Sequence, residues 1–165
     1  EISSNLLEEM GCKFCIVGHS ERRNFFYEDA KNILNKINNL EKNNIIPIIC
    51  IGENLNQRKE NLTKDVLKDL IIKCLPQKFN IKKIIIAYEP LWSIGSGLVP
   101  SLEEISEIHY FIKKNIFDDI DVKVIYGGSV KAVNYKKILE IESVDGLLVG
   151  GASINLDEFN QIIKF

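Results

Sequence analysis

At 165 residues, 45% hydrophobic and 27% charged, the chain has the make-up of a globular protein with a sizeable core, and its length fits one domain over residues 1–165. A formal net charge of -2 gives no footing for nucleic acid or an anionic membrane as partner. No apolar run approaches the roughly 18 residues of a membrane helix, no signal peptide is read at the start, and the four cysteines read as reduced thiols rather than a disulfide framework.

In chain order, a short helical segment at Ser4–Met10 precedes a strand at Phe14–Val17. Asp29–Asn43 follows as a helix, with Ala30, Ile33, Leu34, Ile37 and Leu40 on one face at helical spacing. The strand Ile45–Ile51 leads to a helix at Thr63–Leu75, and a run starting at Lys82 gives the strand Lys83–Tyr88. Ser101-Leu102-Glu103-Glu104 is a capping-box signature that opens the helix Leu102–Asn115. The strand Val122–Tyr126, the helix Asn134–Ile141, the strand Gly146–Val149 and the helix Leu156–Ile163 complete the chain. The strands are continuous apolar runs, so both faces are expected to be covered, as in a parallel sheet. Strand–helix units repeating about every thirty residues mean α/β architecture. Five units fit either an open five-stranded sheet or most of a (β/α)₈ barrel, and periodicity alone does not choose between them.

The stretch Ala87-Tyr88-Glu89-Pro90-Leu91-Trp92-Ser93-Ile94-Gly95-Ser96-Gly97 carries the most chemistry. A lone carboxylate, Glu89, stands where a buried strand ends, and a loop with two glycines and a tryptophan follows. That is the layout of a base with a lid. Gly18-His19-Ser20-Glu21-Arg22-Arg23 closes the first strand and Ile49-Cys50-Ile51-Gly52-Glu53 the second. Tyr126-Gly127-Gly128-Ser129-Val130 closes the fourth, and Val149-Gly150-Gly151-Ala152-Ser153 the fifth. Together, in this order and spacing, the five segments resemble signatures of the triosephosphate isomerase family.

The resemblance implies a (β/α)₈ TIM barrel, here only about the last five βα units. It implies an isomerase of glycolysis and gluconeogenesis that interconverts dihydroxyacetone phosphate and glyceraldehyde 3-phosphate through an enediolate, with no cofactor and no metal. On this reading Glu89 is the base and His19 the neutral electrophile. Gly95, Ser129, Gly150 and Gly151 bind the substrate phosphate, with Ser20, Glu21, Cys50, Glu53 and Trp92 in support. Pro90 to Pro100 forms the lid. The family also implies a homodimer, a small phosphorylated triose as partner and a cytoplasmic location, a plastid copy being the alternative.

Two features depart from the family pattern. The second lid hinge reads Leu98-Val99-Pro100, where the family commonly has a lysine followed by two small or β-branched residues; Pro100 stiffens it. The Asn and Lys that end the family's first strand have no counterpart upstream of Glu1. The expectation is therefore an N-terminally incomplete barrel exposing two strand edges and half its interior. An inactive remnant with only a structural or interaction role is the alternative function.

The remaining residues have plainer readings. His109 is expected on a helix surface, Arg22 and Arg23 in an ion-pair network, and Cys50 in the core near the base. Cys12-Lys13-Phe14-Cys15 has the gap of a metal or redox motif, but a strand would turn its two thiols to opposite faces. Gly18-His19-Ser20-Glu21-Arg22 lacks the last glycine of a nucleophile elbow, and Gly95-Ser96-Gly97 lacks the rest of a dinucleotide or P-loop fingerprint.

Overall fold

The computed structural model describes residues 1–77, 80, 83–96, 98–118 and 120–164. Lys82 of the third predicted strand and Gly97 of the lid lie outside them. The described residues form a parallel sheet of five strands in sequential order: β1 (Phe14–Val17), β2 (Ile46–Ile51), β3 (Ile85–Tyr88), β4 (Lys123–Tyr126) and β5 (Gly146–Leu147). Around it run α1 (Ser4–Glu9), α2 (Ser20–Phe25), α3 (Ala30–Lys42), α4 (Leu55–Lys59), α5 (Thr63–Cys74), α6 (Leu102–Phe111), α7 (Tyr135–Leu139) and α8 (Leu156–Ile163).

The strand order never reverses, so the chain winds in one direction, as in a barrel. The register agrees. β1 pairs with β2 from Ile46 but β3 pairs with it only from Ile48; β3 meets β4 from Lys123, while β5 joins at Ile125. A step of two residues at every second strand is the stagger that tilts strands into a closing barrel.

The helix-facing side of the sheet carries Val17, Ile49, Ile51, Ile86, Tyr88, Val124 and Tyr126, all buried in one core with Ile33, Ile37, Leu67, Ile71, Ile105 and Ile108 from the helices. α3 forms because Asp29 caps it, accepting from the Asn32 N–H at 2.8 Å, and its predicted apolar stripe buries Ile33, Ile37 and Leu40 against β1 and β2. At α6 the predicted capping box is present in both directions between Ser101 and Glu104.

Several expectations change. The opposite face of the sheet is not fully covered: Phe14 and Ile16 of β1 are 54% and 49% exposed, and Ile46, Ile48, Ile85 and Ile125 are half-buried. Alternate strand residues point away from every helix there, which is the half-open interior expected of an incomplete barrel. The fifth strand is shorter than predicted because it has one neighbour, β4. The helix after the lid ends its α-helical part at Phe111 and continues as a π-helical turn, Ile112–Ile116. His109 is fully buried, contrary to its expected surface position, because it shares the Ile105, Ile108 and Ile112 stripe.

Candidate active site

Parallel pairing sends all five strands to one rim, and the sequence segments singled out above gather there. Glu89 directly follows β3. Its N–H donates to the Ile51 carbonyl at 2.7 Å, which continues the ladder and gives Glu89 the same face as Ile85 and Ala87. There its carboxyl meets His19, with Nε2 at 3.3 Å from Oε1; the side chains are 31% and 3% exposed respectively.

His19 is held by the helix it begins. It is the N-cap of α2, and its Nδ1 accepts the Glu21 N–H at 3.4 Å. With the Nδ1 lone pair engaged, an uncharged ring carries its proton on Nε2, the nitrogen that faces Glu89. Arg23 ties this turn to the next strand, donating to the carbonyls of Gly18 at 2.7 Å and Cys50 at 3.2 Å. Arg22 pairs with Glu28 at 2.7 Å and also with Glu1, the ion-pair role expected of it. Burial pushes the Glu89 carboxyl above the usual carboxylate range, against the pull of His19, the Cys50 thiol and the Ser20 N–H. Cys50 is buried beside it, and its thiol is pushed up by burial and by the Glu89 charge.

Glu21 contributes its backbone N–H while its side chain is exposed. Glu53 is fully buried but set apart from the His19–Glu89 pair. Its Oε1 accepts from the Trp92 indole N–H at 2.9 Å and from the Tyr88 hydroxyl at 3.2 Å. It anchors the start of the lid.

Buried Ser93 ties the lid to its surroundings. Its Oγ donates to the Leu98 carbonyl at 2.7 Å and accepts from the Ser129 N–H at 3.3 Å. Gly95 has φ +67°, a conformation suited to glycine, and is exposed. Gly150 and Gly151 lie exposed beyond β5, where Gly151 opens a 3₁₀ turn, Gly151–Ile154, ahead of α8. Gly95, Ser129, Gly150 and Gly151 thus all sit at the rim that holds Glu89. Cys12 and Cys15 are free, half-buried thiols.

Two positions were not singled out from the sequence. A Cβ on Gly127 would come within 2.9 Å of Glu89 Cγ, and one on Gly52 within 1.7 Å of the Glu89 carbonyl oxygen. Gly52 thus lets the end of β2 close on the Glu89 backbone, and Gly127 lets the end of β4 close on its side chain. Both stood inside quoted motifs, yet only the register reveals what they touch.

The family model for triosephosphate isomerase matches residues 1–165. The triosephosphate isomerase of Francisella tularensis subsp. holarctica is 44% identical over 173 residues, covering 99% of this chain and 68% of that protein. That of Mycoplasma mobile is 42% identical over 164 residues, covering 99% and 67%. The crystal structure of triosephosphate isomerase from Bartonella henselae superposes with a TM-score of 0.89 at 33% identity, over 99% of this chain and 68% of that one. The sequential parallel sheet is thus part of a TIM barrel, about two thirds of the relatives' length, and the chain belongs to the triosephosphate isomerase family.

Proposed function

We propose that Glu89 and His19 carry out the proton transfer that interconverts dihydroxyacetone phosphate and D-glyceraldehyde 3-phosphate, a glycolytic isomerisation. The observation that carries this reading is the 3.3 Å approach of His19 Nε2 to a Glu89 carboxyl that is almost fully buried. Glu89 takes a proton from C1 of the ketose; the freed electron pair forms the C1–C2 double bond, and charge moves onto the carbonyl oxygen. His19 donates its Nε2 hydrogen to that oxygen, which requires the tautomer favoured by the Glu21 N–H at Nδ1. The C1 hydroxyl then gives its hydrogen back to His19 Nε2 as that oxygen becomes the aldehyde carbonyl, and Glu89 returns its proton to C2, giving the aldose. Burial of the carboxylate strengthens it as a base. Backbone N–H groups at Gly95, Ser129, Gly150 and Gly151 would grip the phosphate, and the lid from Pro90 to Pro100 would keep water from the enediolate.

The alternative is a chain without turnover of its own. A coupled assay on the purified chain separates the two. Turnover above buffer that falls about 10³-fold in Glu89→Gln supports the isomerase. Turnover absent from the wild-type chain, or unchanged by that substitution, supports the non-catalytic reading.

A further inference from the structure

His109 is the second of the chain's two histidines and has no part in the proton transfer. It lies on α6, the helix that begins directly after the lid, and is fully buried. Its ring packs edge-on against Tyr88, with centroids 5.9 Å apart and planes at 80°, and against Tyr126 at 6.4 Å. The two tyrosines are themselves 6.4 Å apart, so the three rings form one closed triangle.

Each tyrosine leads to a different part of the rim. Tyr88 donates to Glu53, which holds the Trp92 indole at the start of the lid. Tyr126 lies under the next turn, its hydroxyl so close to Gly128 that a Cβ there would fall within 2.1 Å of it. Ser129, one residue on, donates its N–H to Ser93 inside the lid. The helix leaving the lid therefore inserts one flat side chain between the anchors of the lid's first residues and of the adjacent turn.

We propose that His109 is a positioning residue that sets Tyr88, and through Glu53 the Trp92 indole, so that the lid's first hinge has a fixed seat. The role belongs to the ring's shape: a planar side chain offers its edge and face to two aromatic neighbours at once, and a branched aliphatic does not. The proposal rests on the lid reading, but its test does not need turnover, since Trp92 is the only tryptophan and reports on its own seat.

Acrylamide quenching of Trp92 emission is measured in the whole chain for wild type, His109→Phe, His109→Leu and Ile108→Val, the last a control in the buried stripe of the same helix. Leucine keeps volume and burial without the ring; it should raise the quenching constant about twofold with a red-shifted emission, while phenylalanine and the Ile108 control stay at the wild-type value. Unchanged quenching in His109→Leu overturns the proposal, and so does an equal rise in Ile108→Val, which marks general core loosening. If His109→Leu fails to fold, His109→Phe decides alone: wild-type quenching upholds the role and elevated quenching overturns it. Absence of turnover in the wild-type chain, with Trp92 responding as stated in the variants, would sink only the isomerase reading.

Discussion

Glu89 places an acid where its charge is costly, and the direction of that cost is measurable. Burial holds its carboxyl above its ordinary value of 4.5 in the folded chain. Between that value and the higher folded one, the unfolded chain has released its proton while the folded chain still holds it. The associated stability is therefore fully present below the ordinary value and is lost as pH rises through the folded one. A tenfold difference in proton affinity between the two states is worth about 1.4 kcal/mol. Glu89→Gln removes the ionisation but keeps the shape, so the variant should melt about 2–4 °C above wild type at pH 8, the gap closing as pH falls toward 4. Calorimetry across that range checks it, and a gap that widens on acidification would show that His19 pairing outweighs burial. The same substitution that abolishes a base would thus stabilise the fold, the exchange expected where function keeps a charge in the interior.

At the scale of elements, one backbone bond, from the Leu91 N–H to the Glu53 carbonyl at 3.0 Å, carries the ladder into the lid, and side chains tie the rest. Trp92 is held by Glu53, and one hydroxyl, on Ser93, serves both the Leu98 carbonyl and the Ser129 N–H. Ser93→Ala leaves both groups without that partner at a fully buried position. It should lower stability by about 1–3 kcal/mol and speed proteolytic cleavage between residues 91 and 99, with strands and helices elsewhere unaffected. Unchanged cleavage would mean that buried Pro100 and the Trp92 seat suffice to hold the loop. Much of this element was legible in the sequence: the strand before Glu89 from its β-branched run, the helix after the lid from Ser101 and Glu104. Other parts were not. α4 carries a full capping box between Asn54 and Gln57, a signature present in the sequence but weak without an apolar run behind it. By polarity His109 reads as a surface residue, but its spacing of four from Ile105 places it in the buried stripe. The close approaches of Gly52 and Gly127 to Glu89 depend on inter-strand register, which no local pattern encodes.

Across the whole molecule, sequential parallel order and a two-residue step at every second strand decide what lies at the rim and what is left open. The same geometry that brings His19, Glu89 and Ser129 to one end turns alternate residues of every strand toward a single interior side. The helices fill the other side, and the motifs could state the barrel only through their order, because strand length and hydrophobicity alone fit an open sheet equally well. On β1 the interior side is bare: Phe14 and Ile16 present apolar surface beside a strand with one neighbour. Such a surface is a template for association and a site for hydrophobic dyes. Substituting both residues, Phe14→Ser with Ile16→Ser, removes apolar atoms already half in water, so the melting temperature should move by no more than about 1 kcal/mol in equivalent stability. Binding of an anilinonaphthalene dye should fall by about a third, with a matching drop in concentration-dependent light scattering. Dye binding that stays constant, together with a large loss of stability, would show that this side of β1 is packed against something in solution.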